Sequence, residues 1–486
     1  MPTDPPHPAF SAATGARTPA AVASPPRTDP VIDIASGPLR RILERHRAIL
    51  SNAGSLCGTS VATSLLGFGF WWLAARLFPP SAVGYGSAAV STMTLLGTIG
   101  MLGLGTVLIG ELARRPQGSG GLVSASLLAS GAASAVLAIG FVLFAPYVTT
   151  HPVPFAANIY TVVLFTLGVA LTGVTAVLDE ALLGLLLGKL DLLRNLAFCV
   201  AKLAALALVA IVVHDQFGVS ILAAWVTGST VSILVLAVLL RRRGVRILHV
   251  PQWMILRRLS RSAASHSWLN LVLQTPQAAI PIMATGLVSA TAGGSFFAAW
   301  MIISFGYMVP THLSTVLYAV GAADKAALQR GIRFTLRLSL LGGLIGVPIL
   351  LACASLGLHL FGATYAELAT LPLRLLALGY FAVVFKVHYV AVCRVHGRVA
   401  HAAALMTAGS LLELGAAATG AIIGGLVGLS LALLAAMSLE GMLAMRTVLR
   451  AASAQYHPAH NSRTSTVRSE ARSTGEVSKG AKNRCD

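Results

Sequence analysis

Four side chains built for hydrogen bonding, His266, Asn270, Gln274 and Gln277, recur every three or four residues in SHSWLNLVLQTPQAAIPIMATGLV, Ser265 to Val288. On a helix turning about 100° per residue they fall within an arc of about 80°. A second stripe, Asn52, Ser55, Thr59 and Thr63, lies in SNAGSLCGTSVATSLLGFGFWWLAARLF and covers an arc of about 80° as well. Both segments are long and apolar enough to cross a bilayer. Such stripes either hold neighbouring helices together, at about 0.6–2 kcal/mol per contact, or face a hydrated cavity. The small hydroxyls of the second stripe fit either role. Four large polar groups cost several kcal/mol in hydrocarbon unless water or partners satisfy them, and a hydrated cavity satisfies all four. Pro276 and Pro281 in the same segment, and Pro310 in the next, free backbone carbonyls, as a cavity lining, a hinge or a simple kink does.

Ionisable side chains within apolar runs are functional candidates by default. Counting about 1.5 Å per residue from basic residues at the span ends puts Lys202 about 12 Å deep from Arg194, and Lys386 about 12 Å deep from Arg394. Glu440, counted from Arg446, lies about 9 Å deep, close enough in level for a buried pair with Lys386. The two lysines can equally snorkel to the interface. Glu413 lies nearer the middle with no depth-matched partner in the adjacent sequence. It is a candidate for proton coupling or for hydrogen bonding to a neighbouring helix, as Glu440 is a second candidate coupling group. Arg76 and Arg374 mark the opposite ends of their spans, as interfacial anchors or as further cations facing a ligand.

The elements that position these groups follow from composition. The 486 residues are 56% hydrophobic and 10% charged, against about 25% charged in soluble domains. Apolar runs of about 20 residues, each long enough for a hydrocarbon core of about 30 Å, recur from residue 50 to residue 448. Twelve spans are expected, starting near residues 51, 81, 120, 156, 195, 217, 262, 294, 331, 371, 399 and 424. The fold class is therefore all-α and polytopic.

The net charge of +19 is concentrated in alternate breaks, which marks membrane topology and not a nucleic-acid surface. Arg114 and Arg115, Lys189 and Arg194, the seven arginines from Arg241 to Arg261, Lys325 to Arg333, Arg394 and Arg398, and Arg446 and Arg450 follow the even-numbered spans. The positive-inside rule then places both termini in the cytoplasm. The most basic break divides the chain into a lobe at 39–240 and a lobe at 262–450, joined by a basic linker at 241–261. Six spans per half make the halves parallel repeats about an axis along the membrane normal. AAVSTMTLLGTIGMLGLGTVL from Ala88 and AAWMIISFGYMVPTHLSTVL from Ala298 hint at the same repeat. The ends, 1–38 and 451–486, are polar and read as disordered cytoplasmic tails, with no cleavable signal peptide expected.

Five cysteines without CxxC spacing read as free thiols. Neither a P-loop, nor HExxH, nor GxSxG occurs, so nucleotide hydrolysis and the common hydrolytic chemistries are not expected. No cofactor and no metal site are expected.

Three stretches carry a resemblance: LLGFGFWWLAARLFPPSAVGYGSAA, VLDEALLGLLLGKLDLLRN and LNLVLQTPQAAIPIMATGLVSATAGGSFFAAWMI. Over about residues 50–450 the chain resembles the oligosaccharide (polysaccharide repeat-unit) flippases of the multidrug/oligosaccharidyl-lipid/polysaccharide exporter superfamily. The resemblance implies a transporter and not an enzyme, with two six-helix lobes around a central cavity that opens to each side in turn. It also implies a polyprenyl-pyrophosphate-linked oligosaccharide as substrate, moved from the inner to the outer leaflet of a bacterial plasma membrane for cell-surface polysaccharide synthesis. Membrane lipids and polysaccharide polymerase or assembly enzymes would be its partners. Asn52, Ser55, Thr59, Thr63, His266, Asn270, Gln274 and Gln277 would line the sugar path, and Lys202, Lys386, Arg76 and Arg374 would be the cations for the pyrophosphate. Spans one and seven hold no Asp or Glu, which weakens the alternative of a cation-coupled multidrug exporter. A peptidoglycan-precursor lipid flippase is a second alternative, and a scaffold for cell-wall enzymes a third.

Overall fold

The computed structural model describes residues 63–101, 103–114, 120–148, 154–185, 187–212, 217–244, 247–262, 264–323 and 325–453. The expected tail 1–38, the stripe residues Asn52, Ser55 and Thr59, and residues 454–486 of the expected tail 451–486 lie outside these, while 451–453, expected in that tail, are helical. The described residues belong to one compact unit, 56–486.

The described chain is helical, with no strand among the described residues. The first lobe holds α1 (63–77), α2 (Pro80–Gly100) with the short α3 (Leu104–Arg114), α4 (Gly120–Val148), α5 (Ile159–Gly184), α6 (Gly188–Val212) and α7 (Val219–Arg242). A linker helix, α8 (Trp253–Ser262), leads to the second lobe. There α9 (Ala264–Met283), α10 (Ala290–Ala323) and α11 (Lys325–His359) are followed by α12 (Ala363–Leu378) with α13 (Tyr380–Val395), and by α14 (Val399–Ser453).

Two of these need a physical reading to become spans. Helices α12 and α13 are bent by 45° at Gly379 and together make one broken span. The Tyr307 hydroxyl fills that break by donating to the Leu376 carbonyl at 2.6 Å. The 55 residues of α14 would reach far beyond a hydrocarbon core of about 30 Å. They are two spans, separated where Gly425 takes φ 57° and ψ −141°, a backbone state open to glycine and strained for any other residue. The two spans pack so tightly that a Cβ on Gly420 would strike the Gly428 carbonyl.

With α1 as the described part of the first, about twelve spans form two lobes, as the charge pattern requires. Boundaries differ from the expectation at three places, one being the ninth span, which starts at Lys325 and not near 331. The fifth span starts at Gly188 and not near 195, because Asp191 and Arg194 are buried inside the helix. The tenth starts at Ala363 and not near 371, because Pro372 is accommodated within α12.

Helix α2 joins the lobes by packing on α9 and α10. Small residues permit the approach. A Cβ on Gly84 would collide with the Ala290 carbonyl oxygen, and one on Gly294 with the Pro80 carbonyl oxygen. The same end is sealed by aromatic contacts, Trp71 to Phe297 at 4.5 Å and Phe68 to Phe361 at 5.4 Å between ring centroids. Trp72 Nε1 and Arg76 Nε both donate to the Leu360 carbonyl, at 2.9 and 3.0 Å.

Candidate functional site

At the other end, the one marked by the basic breaks, the lobes part around a cavity of about 840 Å³. That lies in the range of about 300–1,000 Å³ usual for ligand pockets. Helix α9 forms one wall. Asn270, Gln274 and Gln277 line the cavity and are solvent-exposed, whereas Leu269, Val272 and Ile280 of the same helix are buried. The three amides lie on the cavity wall, and Leu271, Leu273 and Ile280 of the same helix line it beside them. His266 lies on the same helix, its side chain outside the described residues.

Pro276 lines the cavity as well, and it helps to shape it. Proline offers no N–H to the carbonyl four residues back, which here belongs to Val272. Ser410 of α14 donates its hydroxyl to that carbonyl at 3.0 Å. The kink thus ties α9 to α14, and Trp268 Nε1 bonding to Thr407 Oγ1 at 3.0 Å adds a second tie. The wall ends in a widened helical turn, Ala284–Val288, after Pro281.

Helix α10 forms the facing wall with Trp300, Ser304, Tyr307, Met308, Thr311 and His312. Their spacing puts most of them on one face of the helix, a signal as readable in the sequence as the amide stripe but masked by its aromatic and methionine members.

Charge enters the cavity at two levels. Deep inside, the Lys386 ammonium hydrogen-bonds to Glu413 Oε1 at 2.9 Å and pairs with Glu440 Oε2 at 2.7 Å. The expected Lys386–Glu440 pair is present. The expectation that Glu413 lacks a partner is corrected: Lys386 bridges both carboxylates. The depth count erred because it took Arg394 as a surface marker, whereas Arg394 itself lines the cavity. Lys386 and Glu413 reach the cavity while Glu440 is buried behind them. Two carboxylates facing one ammonium carry a formal charge of −1 when both are ionised, so the cluster has room for one more proton.

At the mouth, Arg394 donates from a terminal nitrogen to Asn270 Oδ1 at 2.7 Å. Its buried Nε has no hydrogen-bond partner among the described residues. No carboxylate lies within ion-pair distance of it among the described residues, so no carboxylate there offsets its charge, and guanidinium groups pair readily with anions. Glu180 of α5 lines the mouth from the other lobe. Arg394, Glu180, His312 and the α10 face went unrecognised in the sequence reading as cavity residues.

The remaining candidates lie elsewhere. Lys202 is buried in the first lobe, its ammonium 4.0, 4.4 and 5.0 Å from the ring centroids of Trp225, Phe198 and Phe70. The rings supply the attraction that a carboxylate would otherwise provide, and the side chain is not part of the cavity wall. Arg76 sits at the sealed end on Leu360, as described above. Arg374 Nε donates to the Leu351 carbonyl at 3.0 Å. Thr63 is half-buried in α1 and is also absent from the wall. Arg194, expected to mark the surface, is buried and holds Asp179 Oδ2 at 2.6 Å, which fastens the α5–α6 turn.

The chain matches the model of a family described as polysaccharide biosynthesis protein over residues 49–322, more than half its length. Among solved structures it is similar to an inward-facing multidrug resistance MATE family transporter of the MOP superfamily. Identity is 18%, over 81% of this chain and 96% of that one, with a TM-score of 0.59. A MATE in complex with MaL6 follows at 14% identity, 82% and 96% coverage and a TM-score of 0.55. A MOP superfamily transporter from Pyrococcus furiosus matches at 15% identity, 83% and 94% coverage and a TM-score of 0.53. No curated protein matches the chain. A two-lobed helical membrane protein with one end sealed and a cavity lined by amides, charged groups and apolar side chains at the other, the chain belongs to the polysaccharide biosynthesis protein family.

Proposed function

We propose that this protein is a flippase that moves polyprenyl-pyrophosphate-linked oligosaccharide from the inner to the outer leaflet of a bacterial plasma membrane. The basic breaks and both termini then face the cytoplasm, and the conformation described is inward-facing. The observation that carries the reading is the exposed amide row Asn270, Gln274 and Gln277 in a cavity whose lining includes Arg394, which has no carboxylate within ion-pair distance among the described residues. Amides offer donors and acceptors together, which suits hydroxyl-rich sugars. A guanidinium meets phosphate oxygens in bidentate geometry. The lipid tail stays in the bilayer between the lobes.

In the proposed cycle the pyrophosphate first meets Arg394, and Lys386 then exchanges a glutamate for the anion. Glu413 and Glu440, released from their shared ammonium, become the groups for which protons compete. Rocking of the lobes closes the mouth, bringing Glu180 towards Arg394, and separates the Gly84–Gly294 contact at the other end.

Inner-leaflet accumulation of the lipid-linked sugar in cells carrying only Gln274→Leu or Lys386→Ala is the expected phenotype. Normal surface polysaccharide in every such strain would overturn the assignment. Export of cationic compounds is the second reading, favoured by Glu180 and Glu413 on the cavity wall. It requires Glu413 to be free of Lys386.

A further inference from the structure

A second cavity, of about 670 Å³, lies within the first lobe at the basic end. Its walls are Leu127 of α4, Val174 and Leu178 of α5, and Ile233, Leu236, Ala237 and Leu240 of α7, with Ile247 and Leu248 of the linker. Every one of these is aliphatic. The single charged lining residue is Arg241, at the rim, and Arg242 and Arg243 follow it, all three exposed.

This cavity is separate from the central one. Leu178 lines this cavity and Glu180 the central one, two residues apart and so about 200° around α5, on nearly opposite faces.

The linker helps to build it. Gly244 takes φ +65°, a conformation open to glycine, and turns the chain so that Ile247 and Leu248 come back over the end of α7. Beyond them, Val250 and Met254 are 84% exposed and Trp253 53%. An apolar run so exposed is costly in water but suited to the headgroup boundary of a membrane, where amphipathic segments lie flat.

We infer that this cavity is a binding site for one membrane phospholipid with an anionic headgroup, its acyl chain among the aliphatic side chains and its phosphate on Arg241 to Arg243. Charge complementarity chooses the occupant. Basic pockets between helices at a membrane surface bind anionic headgroups, and a zwitterionic lipid would bring a cation against three arginines. The lipid would fasten the linker, and with it the second lobe, to the first. This inference does not depend on the transported substrate.

The test uses the full chain in vesicles containing a trace of photoactivatable phospholipid with a diazirine in its acyl chain, either phosphatidylglycerol or phosphatidylcholine, followed by peptide mapping. Labelling of 174–178 and 233–248 by the phosphatidylglycerol probe, at least fivefold above the phosphatidylcholine probe, is expected. Combined Arg241→Gln, Arg242→Gln and Arg243→Gln should erase that preference, and Ala237→Trp, at an exposed rim position, should block labelling by both probes. Thermal unfolding of the variants reports whether they remain folded. Equal labelling by the two probes, or labelling unchanged in the triple variant, would overturn the inference. Loss of labelling on adding a stoichiometric amount of polyprenyl phosphate, with no loss on adding inorganic phosphate or more phosphatidylglycerol, would assign the cavity to a prenyl chain and overturn the phospholipid assignment.

Discussion

Gly84 and Gly294 touch reciprocally: the first lies under the Ala290 carbonyl and the second under the Pro80 carbonyl. The offset that carries Gly84 onto Gly294 also carries Pro80 onto Ala290 and Ala88 onto Ala298. A contact in which each residue meets the other's counterpart is what a two-fold axis produces. The weak sequence echo between Ala88 and Ala298 is therefore a genuine repeat, and its axis passes through the sealed end.

The symmetry makes a prediction. Gly84→Leu and Gly294→Leu should each overpack this contact at a cost of about 1–3 kcal/mol, by similar amounts. Spin labels at Leu77 and Leu360 in a cysteine-free background would then show a longer distance population in both variants. An effect in one variant alone would contradict the reciprocal contact.

The lysine bridge should be more costly to break than to remove. Lys386→Met strands two carboxylates in the lobe, and loss of one partner of a buried pair costs about 3–5 kcal/mol. Adding Glu413→Gln and Glu440→Gln should recover most of that stability while transport stays impaired. Thermal unfolding in detergent measures the first effect and a flipping assay the second.

The proline kink in α9 has its own signature. Ser410→Ala leaves the Val272 carbonyl without its hydroxyl donor, a loss of about 1–3 kcal/mol for a buried group. Pro276→Ala restores a backbone N–H to that carbonyl, so the double variant should be more stable than Ser410→Ala alone. Additive losses in a double-mutant cycle would show that the two residues do not share the carbonyl.

Amides that face water contribute to recognition and little to folding. Gln274→Leu and Gln277→Leu should leave unfolding within about 0.5 kcal/mol of the parent, as surface substitutions do, yet slow transport at least tenfold. Unfolding shifted as much as transport would assign the stripe to helix packing.

Much of this was legible in the chain itself. Span number and lobe division followed from apolar length and alternating charge, because hydrocarbon tolerates little else. The amides Asn270, Gln274 and Gln277 stand out in the sequence because large polar groups in a span need water or partners, and all three are on the cavity wall. What stayed hidden depends on contacts between distant spans. Glu413 finds Lys386 only once α13 and α14 pack together. Lys202 settles among rings from three helices, so its depth alone could not separate a cavity cation from a caged one. Trp300, Tyr307 and Met308 look like core residues in sequence and become cavity walls because the lobes part beside them.

The most direct test of the flippase reading is reconstitution of the purified chain in liposomes with a fluorescent polyprenyl-pyrophosphate oligosaccharide, followed by exposure to an external quencher, with a cationic dye as parallel cargo. Movement of the lipid-linked sugar, lost in Gln274→Leu and Lys386→Ala and not accompanied by dye transport, is the predicted result. Dye transport without sugar movement would contradict it and point to a drug exporter.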